Sequence, residues 1–232
     1  MREAIDFIGN LNPVYAVLLL LGGMGAVTAH FVNRKKYEKF GAVTVVYAIG
    51  LILAFFLTYA LNTFFNKIIT AKHEKYYFID FSFLYTAAFF MFTVKIFSLI
   101  LGWDFKKIKE PFAASLLVFL FFAKIGCFFN GCCASKPLGG SGTIFHLNLY
   151  ESGFALLLAA LYFWKKVKVF YPFFLIYLPY RFFSEFIRAS YAYQKIFMGI
   201  FTGTQIVAAI VFSVLILFIV FQSIRSKKEN HD

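Results

Sequence analysis

Acidic side chains are scarce in this chain: eleven Asp and Glu stand against 23 Lys and Arg in 232 residues. Charged residues of both signs make up only 15%, where a soluble globular domain carries about 25%. That shortfall excludes an ordinary water-soluble particle, because too little polar surface exists to coat one. Cysteine is sparse and odd in number, with Cys127, Cys132 and Cys133 alone. Three thiols cannot pair completely. A vicinal or i,i+5 disulfide and buried free thiols both stay open. The C-x4-CC spacing fits no zinc pattern and no His neighbours it, so no metal is assigned and no cofactor is expected. The chain also lacks a polar linker, an internal repeat and a stretch that reads as a soluble domain.

Apolar sequence is what the chain has in abundance. Hydrophobic residues make up 61%, aromatic residues 22%, and the mean hydropathy is +0.76. A bilayer core about 30 Å thick needs roughly 20 apolar residues as helix, and helix is required because lipid cannot satisfy exposed backbone groups. Seven stretches qualify: Val14 to Val32, Gly41 to Phe65, Tyr77 to Leu101, Phe112 to Cys133, Leu147 to Trp164, Val169 to Ile187, and Phe197 to Ile224. The expected fold is an all-α polytopic membrane protein, one membrane-embedded domain of seven transmembrane helices. Ala4 to Ile8 reads as a short interfacial helix. No cleavable signal peptide is expected, since Arg2, Glu3 and Asp6 precede the first span and no A-x-A site follows it.

The net charge is +12. The basic residues cluster in short runs between apolar segments, the pattern of loops facing anionic lipid, so nucleic-acid binding is not expected. The loops after spans 1, 3 and 5, with the C-terminus, hold thirteen: Arg34, Lys35, Lys36, Lys39, Lys106, Lys107, Lys109, Lys165, Lys166, Lys168, Arg225, Lys227 and Lys228. The opposite side holds seven: Arg2, Lys67, Lys72, Lys75, Lys136, Arg188 and Lys195. The richer side is expected in the cytoplasm. Seven spans then put the N-terminus outside and the C-terminus inside.

Ionisable residues within spans are expensive in lipid and face a cavity or a partner. Counting about 1.5 Å per residue, Lys124, Arg181, Glu185, Arg188, Tyr150, Glu151, Tyr15 and Asp80 all fall toward the outer leaflet, with His146 just before its span. They come from five helices. Lys95 lies near the inner end of span 3, where a lysine snorkels to the surface. His30 and Asp104 read as ordinary boundary residues, and His73 as a solvated loop residue.

Arg181, Glu185 and Arg188 stand at i, i+4 and i+7 and share one helical face, which Tyr177 and Ser184 extend. Two guanidiniums with a carboxylate between them suit bidentate phosphate binding. The same face also suits an internal ion-pair network that staples the bundle.

Four segments, in order, resemble the prolipoprotein diacylglyceryl transferase family. KIGCFFNGCCASKP (Lys124 to Pro137) is similar to the family signature, which opens Arg-Ile-Gly. HLNLYES (His146 to Ser152) is similar to its His-Pro-x-Gln-Leu-Tyr-Glu segment. YRFFSEFIR (Tyr180 to Arg188) resembles its Arg-Phe-x-x-Glu-Phe-x-Arg helix. MGIFTGTQIV (Met198 to Val207) resembles the Leu-Gly-x-x-x-Gly-Gln opening of its last helix. The departures are specific. Lys124 stands where the family has arginine, Leu147 replaces proline and Asn148 replaces glutamine. The stretch FSFLYTAAFF (Phe81 to Phe90) has neither His nor Gly where the family's His-Gly-Gly-Leu motif belongs.

The resemblance implies transfer of a diacylglyceryl group from phosphatidylglycerol to the lipobox cysteine of a preprolipoprotein, in a bacterial cytoplasmic membrane. It implies phosphate and headgroup contacts from Lys124, Asn130, Tyr150, Glu151, Arg181 and Arg188. Tyr15, His146 and Glu185 are the catalytic candidates. His146 or Tyr15 would take the place of the missing histidine in activating a thiol of pKa near 8.5. Asn130, before Gly131, reads equally as a cap or turn residue, and the Gly139 to Gly142 loop as a peptide entrance or a turn. Two other readings stay open: a divergent paralogue with another acceptor, and a non-enzymatic lipid-binding or transport protein. A transporter of the inverted-repeat kind carries paired broken helices, and no such symmetry is visible.

Overall fold

A computed structural model describes residues 13–37, 39–70, 83–130, 135, 144–188, 195–197 and 200–229. Among them are seven α-helices: α1 (Pro13–Val32), α2 (Phe40–Thr70), α3 (Phe83–Ile100), α4 (Phe105–Phe129), α5 (Leu147–Lys165), α6 (Phe170–Ile187) and α7 (Gly203–Glu229). One small antiparallel hairpin, β1 (Lys195–Phe197) with β2 (Phe201–Thr202), precedes α7. Six of the seven helices are long and apolar enough to cross a membrane; α6 falls short. Its charges Arg181 and Glu185 and its internal Pro179 lower its apolarity. The protein is therefore a helical, multi-pass membrane protein.

Local signals set the helix ends. Pro13 occupies the first position of α1, where its missing N–H costs nothing. At the other end of α1 the Asn33 side chain donates to the Ala29 carbonyl at 2.7 Å. Gly102 takes a positive φ of 66° in the turn before α4, a conformation open to glycine. Asp104 then caps α4 by accepting from the Lys106 backbone N–H at 2.9 Å. Glu110 reaches across to the start of α6, accepting from the backbone N–H groups of Val169 (2.6 Å) and Phe170 (2.9 Å).

Two expected helix starts move by several residues. The fourth span was expected to begin at Phe112, but α4 begins at Phe105. Lys106, Lys107, Lys109 and Glu110 form its first turns, which Asp104 caps. Lys109 lies over the Tyr171 ring at 3.8 Å. The last span was expected from Phe197, but Phe197 and Phe201 pair across the hairpin and α7 starts at Gly203. Thr202 and Gln205 make a reciprocal capping box: the Thr202 N–H donates to Gln205 Oε1 (2.9 Å), and the Gln205 N–H to Thr202 Oγ1 (3.3 Å). Gln205 Nε2 also donates to the Phe182 carbonyl (3.2 Å), tying α7 to α6. The expected helix at Ala4 to Ile8, the start of span 3 at Tyr77, Asp80, His73, Cys132, Cys133 and the Gly139 to Gly142 loop lie outside the described residues.

α4 is the central helix, flanked by α1 and α5, while α2 pairs with α3 and α6 with α7. The α1–α4 seam is close because small residues line it. A Cβ on Gly22 would sit 3.1 Å from Phe122 Cβ, and one on Gly25 would sit 2.8 Å from Val118 Cγ1. Without a hydrophobic drive between helices in lipid, such close backbone approach is what packs them. Phe90, Phe112, Leu117, Phe173 and Leu178 are fully buried in the core. Leu20, Met24, Phe56, Phe92, Leu217 and Phe221 are exposed, an outer apolar surface that a bilayer covers.

Candidate functional site

The charged residues singled out on three helices converge on one carboxylate. Lys124 comes from the last turns of α4, Glu151 from the start of α5, and Arg181 and Glu185 from α6, with Arg188 capping α6 at its C-terminus. None of the five is more than 5% exposed. Lys124 Nζ lies 2.6 Å from Glu151 Oε2, and Arg181 Nη1 lies 3.3 Å from Glu151 Oε1. Arg188 Nη2 stands 3.7 Å from Glu151 Oε1. The Tyr177 hydroxyl donates to Glu151 Oε2 at 3.0 Å. Glu185 is the second carboxylate, 3.4 Å from Arg181 Nη2 and 3.7 Å from Arg188 Nε.

The geometry follows from helix periodicity. Tyr177, Arg181, Ser184 and Glu185 are all buried, as expected of one face. On α5 successive residues diverge by about 100°. Glu151 points inward, so Tyr150 points out and is 61% exposed. Ser152 is buried and donates to the Phe121 carbonyl on α4 at 3.2 Å, which fixes α5 against α4 beside Lys124. The chain after α6 is held by an isolated bridge between Arg188 and Ser135, and Ser135 in turn exchanges hydrogen bonds with Phe145 just before α5.

The remaining candidates take different places. The Tyr15 ring packs where a Cβ on Gly126 would be, 2.7 Å away at Cδ2, two residues past Lys124 and at the same end of the bundle. Asn130 is the exposed C-cap of α4, its backbone N–H bonded to the Gly126 carbonyl at 3.0 Å. His146 is the exposed N-cap residue of α5 and makes no side-chain cap bond. Its ring stands edge-on to Phe128, centroids 5.0 Å apart. Sequence spacing paired Glu185 with Arg181 and did not identify Glu151 as the residue that three cations share. Tyr177, i−4 from Arg181, was visible only as part of the face. Lys95 lies over the Phe105 ring at 4.9 Å. His30 is not an ordinary boundary residue. It is buried, bonds Thr44 at 3.0 Å and Tyr37 at 3.3 Å, and stacks on Tyr47.

Chemically the five side chains offer three basic groups against two carboxylates. Arginine presents a planar fork that matches phosphate, and lysine a point charge. Among the described residues, no three His, Cys, Asp or Glu side chains gather where they could hold a metal ion. No family model, curated protein or solved structure matches the chain.

Proposed function

We propose that this chain is a membrane transferase similar to prolipoprotein diacylglyceryl transferases. It takes a diacylglyceryl group from phosphatidylglycerol and passes it to the lipobox cysteine of a preprolipoprotein. The reading places it in a bacterial cytoplasmic membrane with seven spans, its N-terminus outside and its C-terminus in the cytoplasm. One observation carries it: Lys124, Arg181 and Arg188, from two helices and a helix end, gather within 2.6 to 3.7 Å of Glu151 in a buried site.

The chemistry needs fixed cations. The acceptor thiolate attacks the terminal glyceryl carbon, a C–S bond forms, and the C–O bond to phosphate breaks. Glycerol phosphate leaves with the electron pair, and the thiol proton goes to a base. Preorganised charges at the leaving oxygen are worth most in a water-poor site. Lys124, Arg181 and Arg188 would hold that phosphate, with Glu151 and Glu185 fixing their orientation. Tyr15 packs on Gly126 at the same end of the bundle, where His146, Asn130 and Tyr150 stand exposed.

A second reading has its own observation. The segment Phe81 to Phe90 holds no histidine, and His146 is exposed rather than within the ion cluster. That combination favours a protein that binds phospholipid headgroups without transferring the lipid. One assay separates the two. Purified protein is incubated with phosphatidylglycerol and a lipobox peptide, and the peptide is examined by mass spectrometry. A thioether-linked diacylglyceryl adduct supports the transferase. An unmodified peptide, with lipid still bound, supports the second reading.

A further inference from the structure

The opposite end of α4 carries a second charged site that the transferase reading does not use. A cavity of about 290 Å³ opens between the connection from α1 to α2, the start of α2, the turn before α4 and the start of α4. Lys36, Tyr37, Lys39, Trp103, Asp104 and Lys107 line it, with apolar walls from Val43 and Ile108. Lys107 and Lys124 are 17 helical positions apart on α4, or about 25 Å along its axis, so this cavity is separate from the Glu151 cluster.

Lys36, Lys39 and Lys107 are exposed at this cavity, and Lys36 is tied back to α5. Lys36 Nζ donates to the Tyr162 hydroxyl at 2.7 Å, and that hydroxyl donates to the buried Asn33 Oδ1 at 2.7 Å. The chain of bonds holds the Lys36 ammonium in place and leaves two of its three N–H donors for other acceptors. Tyr37 is buried, its hydroxyl against His30 Nδ1. The lining carboxylate, Asp104, already accepts the Lys106 backbone N–H. The α4 N-terminus adds the positive end of its dipole. Glu38, between Lys36 and Lys39 in sequence, lies outside the described residues.

We propose that this cavity binds a phosphate-bearing anion, as a phospholipid headgroup or as free phosphate. Three lysines and a helix N-terminus supply the charge. Trp103 and Tyr37 supply the amphipathic walls typical of a membrane interface, and basic pockets between transmembrane helices are a known setting for anionic headgroups. Burial, then the nearby Lys166, holds the Lys36 pKa below its ordinary value, with Glu110 opposing.

Trp103 reports on the site directly. The chain has two tryptophans, and Trp164 is 83% exposed, so Trp164→Phe leaves Trp103 as the only tryptophan to excite selectively. Full-length Trp164→Phe protein in detergent is titrated with dihexanoyl phosphatidate, with inorganic phosphate and with dihexanoyl phosphatidylcholine. The expected result is a saturable change in Trp103 emission with phosphatidate, weakened about tenfold or more in Lys39→Gln and in Lys107→Gln, as loss of a charge-assisted bond predicts. Lys107→Arg should retain it. A matching saturable change with inorganic phosphate also supports the site and assigns it to the soluble anion. The proposal is overturned if neither anion changes the emission, if phosphatidylcholine acts equally, or if both lysine variants respond like the parent.

Discussion

Lys124 Nζ and Glu151 Oε2 meet at 2.6 Å inside the bundle, the one near the end of α4 and the other at the start of α5. Glu151 also faces Arg181 and Arg188, so one carboxylate serves cations from both neighbouring elements. Glu185 serves only the two arginines, at 3.4 and 3.7 Å.

That asymmetry predicts unequal mutational damage. Removing one member of a buried pair leaves an uncompensated charge and costs about 3–5 kcal/mol. Glu151→Ala should lose that much, measured by thermal or denaturant unfolding in detergent. Glu185→Ala should lose less, because Glu151 still faces both arginines. Lys124→Met combined with Glu151→Ala should lose less than the sum of the single changes, since the two are in direct contact. Equal losses from Glu151→Ala and Glu185→Ala would contradict a hub at Glu151.

The α1–α4 seam gives a paired test. A Cβ on Gly126 would meet the Tyr15 ring at 2.7 and 3.2 Å, whereas one on Gly23 meets nothing within 4 Å. Gly126→Ala should therefore displace Tyr15 and destabilise by about 1–3 kcal/mol, the usual cost of overpacking. Gly23→Ala should be neutral or mildly stabilising, because alanine is the better helix former. Similar melting temperatures for the two variants would show that α1 and α4 are not packed as described.

The lysine-rich loops predict the topology. A reporter fused at Asp232 should be cytoplasmic, and one inserted in the Gly139 to Gly142 loop should be external. Both reporters on one side would rule out the proposed seven-span arrangement.

Much of this was legible in the sequence, for physical reasons that differ by residue. The apolar runs marked the helices because bilayer thickness fixes their length. The shared face of Arg181 and Glu185 followed from i, i+4 spacing within one helix. The central place of Glu151 did not, because the register between α4, α5 and α6 is set by packing. His30 looked like a boundary residue because its partners Thr44 and Tyr47 come from α2. The start of α7 was written in the sequence as Thr202-x-x-Gln205, a capping-box spacing. The apolar run from Phe197 masked it, since a short apolar run fits a strand as well as a helix.

The central claim is that the Glu151 cluster holds a phospholipid headgroup and is more than an internal staple. Thermal stability in detergent, with and without phosphatidylglycerol, tests it on wild type, Arg181→Lys and Arg181→Ala. A ligand that binds only the folded state stabilises it by about 2.7 kcal/mol at a hundredfold excess over its Kd. Wild type should gain on that scale, Arg181→Lys should gain less because it keeps charge and loses the fork, and Arg181→Ala should gain little. An equal lipid-induced gain in wild type and Arg181→Ala would contradict the headgroup site and leave the cluster as an ion-pair staple.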